Sequence, residues 1–147
     1  MIKNATSVPD VFEIEPRIVE DERGCFMESW SVSSFQEMGI KIDFVECSER
    51  LIRTKGMIRG LHFQNAPASQ AKLVRVSSGA ILDVAVDLRR GSPTYLNWTV
   101  SELSAENRKM VLIPRGFAHG LLTLTDDVRI SYMLDAPYTP SLERVIR

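Results

Sequence analysis

Histidine and cysteine are scarce in this chain, with two of each among 147 residues. Cys25 and Cys47 form neither a C-x-x-C pair nor a spaced framework, so a disulfide-stapled scaffold is excluded and two reduced thiols are expected. No apolar run approaches the ~20 residues of a membrane-spanning helix. The N-terminal stretch Met1–Thr6 has no hydrophobic export segment, and the expected location is the cytoplasm. The formal net charge is only −1, which leaves no basic field to hold nucleic acid or an acidic membrane. An anionic ligand therefore has to be gripped by a few local cations. Metal ligation is also poorly served. There is no His-x-His pair and no carboxylate at a short fixed spacing from His62, and two histidines without a clustered third ligand do not make a zinc or iron set.

What the chain has in quantity is short β-branched and aliphatic runs punctuated by Gly, Pro and Ser. They predict strands over Val11–Val19, Ile42–Ser48, Gly56–Gln64, Lys72–Ser77, Ala80–Leu88, Asn97–Leu103, Lys109–Ile113, Ala118–Leu124 and Val128–Leu134. Many short strands between turn signals indicate a sandwich, jelly roll or barrel rather than alternating β and α units. One short helix is expected where Ser34-Phe35-Gln36-Glu37 reads as a capping box, closed by Gly39. Neither repeats nor linker-like stretches occur, and one domain over 1–147 is expected. The clearest strand, Ile81–Leu88, alternates with period two. Leu82, Val84, Val86 and Leu88 are read as its core face. Ile81, Asp83, Ala85 and Asp87 fall on the other face, which either meets solvent or lines a polar cavity.

The two histidines occupy the same kind of context, Arg59-Gly60-Leu61-His62 and Ala118-His119-Gly120, where glycine permits close backbone approach. That shared setting favours a shared site. Arg59 lies three residues before His62, so a regular strand aims the two side chains at opposite faces, and a bulge at Gly60 brings both into one cavity. Arg59, Lys72 and Arg23 are the cations available to an anionic ligand, although Lys72 reads first as a strand-end lysine and Arg23 as part of an ordinary charged turn. Tyr132 shares a face with Val128, Ile130 and Leu134. It reads first as a core tyrosine, with a hydroxyl that needs a partner. Tyr138 is loop-like and suits a stacking platform.

Taken in order, these segments resemble the dTDP-4-dehydrorhamnose 3,5-epimerase family. The matching stretches run from Asp21-Glu22-Arg23-Gly24-Cys25-Phe26-Met27-Glu28 through Gly56–Gln64, Gln70–Val76 and Gly79–Arg89. They continue through Gly91–Tyr95 and Pro114–Gly120 to Tyr132 and Tyr138-Thr139-Pro140. The resemblance implies an all-β, cupin-like jelly-roll barrel with one or two short helices, a homodimer, no metal or organic cofactor, and a nucleotide-linked 4-keto-6-deoxy sugar as substrate. It implies His62 as the base that removes the proton alpha to the ketone and Tyr132 as the acid that returns one from the other side. Lys72, with help from His119, stabilises the enolate oxygen. Arg23, Phe26, Glu28, Arg59, Gln70 and Tyr138 match substrate-holding positions. The family's aspartate that orients the catalytic histidine belongs to a segment beyond Arg147, and Asp83 is the candidate substitute. Where the family often carries Gln-x-Asn near the nucleotide, contributed by the neighbouring subunit, this chain reads Phe44-Val45-Glu46-Cys47-Ser48-Glu49. A single-centre epimerase, a ketoisomerase and a non-catalytic sugar-nucleotide binder are the alternatives.

Overall fold

The computed structural model describes residues 1–147 and is built almost wholly of strands. Six of them form one antiparallel sheet in the order β1 (Ile2–Ala5), β2 (Phe12–Glu15), β10 (Met110–Ile113), β7 (Lys72–Ser78), β12 (Val128–Leu134) and β5 (Glu46–Ile52). Five form the facing sheet in the order β13 (Glu143–Val145), β6 (Ile58–Gln64), β11 (Phe117–Thr123), β8 (Ala80–Asp87) and β9 (Trp98–Ser104). A separate hairpin joins β3 (Ile18–Asp21) to β4 (Gly24–Met27). The two sheets form a cupin-like jelly roll. No helix is long and apolar enough to cross a membrane.

The main core lies between the sheets. Val74, Val76, Val111, Ile113 and Ile130 from the six-stranded sheet meet Ile81, Ala85, Leu103, Phe117 and Leu121 from the other. A second cluster covers the outer face of the larger sheet, where Ile14, Leu73, Met110 and Leu112 pack under Phe35 and Ile40. Trp30, Phe35 and Phe44 meet edge-on there. Covering both faces explains why Met110–Ile113 is a continuous apolar run rather than an alternating one.

Several boundaries differ from expectation for local reasons. Val11–Val19 is two strands, because Pro16 has no N–H to offer a ladder. The strand expected over Ile42–Ser48 starts later and runs to Ile52. The short helix α1 spans Val32–Glu37 and is capped by Ser31, whose side chain accepts from the Ser34 N–H, so Ser34 is not the cap. Gly39, at φ +77°, ends it as expected. On β8 the two faces are reversed. Ile81, Asp83, Ala85 and Asp87 point into the molecule, and Leu82, Val84 and Val86 lie on the outer face. Asp87 is buried because Arg89, Ser92 and Thr94 satisfy it with hydrogen bonds of 2.6–2.9 Å. The Arg89 guanidinium holds its carboxyl well below the usual range.

β6 and β11 approach closely where each has a glycine. A Cβ on Gly60, which sits at φ +109°, would come within 2.6 Å of the His119 carbonyl oxygen, and one on Gly120 within 2.8 Å of the Arg59 carbonyl oxygen. Backbone cannot yield as a flexible side chain does. Gly60→Ala and Gly120→Ala are each expected to cost about 2–4 kcal/mol of folding free energy, measured by denaturant unfolding. A loss below ~0.5 kcal/mol in both would show that the strands can separate without penalty.

Candidate active site

Between the sheets lies a cavity of about 510 Å³, lined by fourteen residues. β6 contributes Arg59 and His62, β11 contributes His119, β7 contributes Lys72 and β12 contributes Tyr132. In the β6–β11 ladder His62 stands opposite His119 and Arg59 opposite Leu121. One more residue is therefore used on β6 than on β11, which is the bulge expected at Gly60. It turns Arg59 and His62 towards the same space, and the glycine contact below them makes the two histidines direct cross-strand neighbours.

His119 is buried, and its Nε2 lies 2.7 Å from Asp83 Oδ2. Asp83 sits on the inner face of β8, with its other oxygen buried and unpartnered. The pairing fixes the His119 ring, which meets Tyr132 edge-on with centroids 6.2 Å apart. Asp83 thus orients His119 and does not substitute as the partner of His62. The carboxylate beside His62 is Glu143, with Oε1 at 3.2 Å from Nδ1. The two atoms lie close without hydrogen-bond geometry, since Nδ1 closes no hydrogen bond, and they form an ion pair only when the imidazole is protonated. Burial lowers the pKa of His62 and the charges of Lys72 and Arg59 lower it further, while Glu143 pulls it up. The net direction is down, so the imidazole is neutral and able to accept a proton near neutral pH.

Lys72 is not an exposed strand end. Its ammonium is largely enclosed, and burial depresses its pKa, opposed by the charges of Asp83 and Glu143. Tyr132 packs against the main core and also lines the cavity. Burial, aided by the Asp83 charge, pushes its phenol up to about 12, with Arg50 and Arg59 acting the other way. At neutral pH that phenol holds its proton and can only donate it. A neutral imidazole, a cation, a fixed histidine and a protonated phenol therefore converge on one space. This set can remove a proton from a weak carbon acid, stabilise the oxyanion that forms, and return a proton elsewhere.

Gln70 and Tyr138 complete the wall. Gln70 Nε2 donates to the Ala136 carbonyl at 2.8 Å, and the exposed Tyr138 hydroxyl donates to Glu143 Oε2 at 2.7 Å. Arg23, Phe26 and Glu28 are not brought to this cavity within one chain. Arg23 pairs with Asp21 in the exposed hairpin turn, Phe26 is 71% exposed, and Glu28 accepts hydrogen bonds from Ser31 and Ser34. Four polar side chains in the lining had no role assigned from sequence: Glu46, Ser48, Arg50 and Glu143. The first three alternate on β5; Glu46 and Ser48, expected to serve the neighbouring subunit, line the cavity of their own chain, and a strand expected to end at Ser48 hid Arg50. Glu143 reaches the site only because β13 pairs with β6, and a three-residue strand carries no periodic signal. No group of three or more His, Cys, Asp or Glu side chains is arranged to hold a metal ion.

Comparison with known proteins agrees with this geometry. Residues 5–147 match the family model described as dTDP-4-dehydrorhamnose 3,5-epimerase. The protein of that name from Shigella flexneri is 45% identical over 142 residues, which is 96% of this chain and 78% of the relative. The crystal structure of the Bacillus anthracis protein of that name, with TDP and PPi bound, superposes with a TM-score of 0.94 at 39% identity, covering 97% of this chain and 81% of that one. The dTDP-6-deoxy-D-glucose-3,5-epimerase of Legionella pneumophila, in complex with dTDP-4-keto-L-rhamnose, gives a TM-score of 0.94 at 39% identity, covering 99% and 77%. Sequence, fold and the converging side chains agree, and the chain belongs to the dTDP-4-dehydrorhamnose 3,5-epimerase family.

Proposed function

We propose that this protein epimerises a dTDP-linked 4-keto-6-deoxy sugar at C3, C5 or both, within deoxysugar biosynthesis. The observation that carries the reading is that His62 and Tyr132 come from opposite sheets and open into one cavity, with Lys72 and His119 beside them. Inversion at carbon needs a base on one side of the ring and an acid on the other, and opposed sheets supply that arrangement. His62 takes the proton alpha to the ketone. The electron pair moves onto the C4 oxygen, where the Lys72 ammonium and His119, held by Asp83, stabilise the enolate. Tyr132 then returns a proton to the opposite face. Arg59 pairs with the pyrophosphate and Tyr138 offers its ring to the base, with Gln70 in the same lining. Two exposed free thiols, Cys25 and Cys47, suit the reducing cytoplasm in which we place the reaction.

The test is exchange in D₂O with dTDP-4-keto-6-deoxyglucose, read by NMR. Deuterium is expected at C3, C5 or both in the wild type. His62→Ala is expected to lower exchange by about 10²–10⁴-fold, the usual worth of a general base. Full exchange in that variant would sink the mechanism. Because His62 works as the neutral base and its pKa is depressed, the acid limb of kcat/KM is expected below the ordinary histidine value. Activity is lost as pH falls through that limb. Glu143 raises the His62 pKa, so Glu143→Gln is expected to move the limb lower still.

The same reading includes a homodimer. The outer face of the smaller sheet is apolar over neighbouring strands. Val84 pairs with Val100, Val86 with Trp98, and Leu122 with both Leu82 and Ile58. Ile58 is 76% and Trp98 63% exposed, a continuous patch that a second copy would cover. The β3–β4 hairpin hydrogen-bonds to no other strand. In the dimer we assign it to the partner's nucleotide, which gives Arg23, Phe26 and Glu28 a use. Sedimentation is expected to show a dimer for the wild type and a monomer for Trp98→Glu combined with Val100→Glu. A double variant that stays dimeric would place the interface elsewhere.

A further inference from the structure

The mechanism leaves one cation of the cavity without a task. Glu46, Ser48 and Arg50 alternate along β5 and all three line the cavity. In the β5–β12 ladder Ser48 stands opposite Tyr132 and Arg50 opposite Ile130. Arg50 is therefore the diagonal neighbour of Tyr132 on the cavity face. Such positions lie about 7–8 Å apart, a span that a guanidinium bridges. Arg50 has no carboxylate partner of its own. Glu46 is engaged by the Ser48 hydroxyl at 2.7 Å, and Glu49, pointing the other way, pairs with Arg129 at 3.2 Å.

We propose that Arg50 is a positioning residue for the proton donor, holding the Tyr132 phenol towards the sugar and taking up the charge left on its oxygen. This rests on the reading of Tyr132 as the acid. When the O–H bond breaks, the proton goes to the sugar carbon and both electrons stay on the phenolate oxygen, which water later reprotonates. The phenolate forms in an enclosed site, next to the carboxylate of Asp83 from β8. Glu46 from β5 adds a second negative charge to the same wall. His62 from β6, His119 from β11, Glu143 from β13 and Tyr138 complete the titratable lining of the cavity. Lys72 from β7 is committed to the enolate and Arg59 from β6 to the pyrophosphate. Arg50 is the remaining cation, and its charge and hydrogen-bonding reach both act to lower the phenol's pKa. An arginine suits this place because it stays charged at every working pH and presents several donors.

The chain has only three tyrosines, Tyr95, Tyr132 and Tyr138. Replacing all of them with a fluorinated tyrosine makes the phenols more acidic, and ¹⁹F NMR then follows each titration in the ligand-free protein. Arg50→Gln is expected to raise the Tyr132 midpoint by about one pH unit, leaving Tyr95 and Tyr138 unmoved, and Arg50→Lys to recover part of the shift. With unfluorinated protein and dTDP-4-keto-6-deoxyglucose in D₂O, Arg50→Gln is expected to lower kcat for inversion by about tenfold. Removal of the substrate proton by His62 should fall far less. An unmoved Tyr132 titration would overturn the proposal, and so would a variant that raises KM alone, since that would assign Arg50 to the ligand's phosphates. The titration needs no substrate. If Arg50→Gln shifts the midpoint while the wild type is inert towards the keto sugar, the epimerase reading fails and the coupling of Arg50 to Tyr132 stands.

Discussion

The site depends on how closely two backbones can run. Where Gly60 and Gly120 face each other there is no room for a methyl group on either strand, and this is where β6 spends its extra residue. The bulge decides which way Arg59 points, and the pairing decides that His62 and His119 are neighbours. Without it, a regular β6 would put the arginine on the outer face of the sheet, away from the histidine and out of the cavity. The acid–base set is thus a product of backbone geometry first and of side-chain chemistry second.

A barrel that carries polar groups inside has to satisfy them individually, because an unpaired buried carboxylate costs several kcal/mol. The structure does this in two ways on one strand. Asp87 is saturated by Arg89, Ser92 and Thr94 and serves the fold alone. Asp83 spends one oxygen on His119 and leaves the other buried and open, within the electrostatic reach of Lys72. The first arrangement is finished. The second retains capacity, as a group near a reacting centre must. Two aspartates four residues apart, on the same face of the same strand, therefore serve different ends.

The all-β class, most strand positions, the bulge at Gly60 and the gathering of His62, His119, Lys72 and Tyr132 in one cavity were legible in the sequence. Period-two patterning and paired glycines are local signals, and resemblance supplied the roles. The faces of β8 were misread because both carry apolar residues. Alternation shows that two faces exist and is silent about which is inward when the outer one is apolar too. Arg50 and Glu143 escaped for a different reason. Each reaches the cavity through a strand whose extent depends on a distant partner, β12 for one and β6 for the other. Arg23, Phe26 and Glu28 matched by sequence yet stand away from the cavity of their own chain, since sequence likeness preserves position along the chain and not what a hairpin faces in the fold.

The cavity walls differ in how they are built into the sheets. β6 and β11 are locked face to face by glycine contacts, and β7 and β12 each have neighbours on both sides. β5 is the outermost strand and hydrogen-bonds to β12 alone. A change at Glu46, Ser48 or Arg50 disturbs one ladder, whereas a change near His62 or His119 disturbs several. A descendant of this chain that came to accept a different sugar nucleotide would have its shortest route through Glu46 and Ser48 on that rim, with Arg50 and the proton-moving centre inherited intact. Divergence among such enzymes should then be written mainly on one edge strand, and their shared ancestry on the two that touch at glycine.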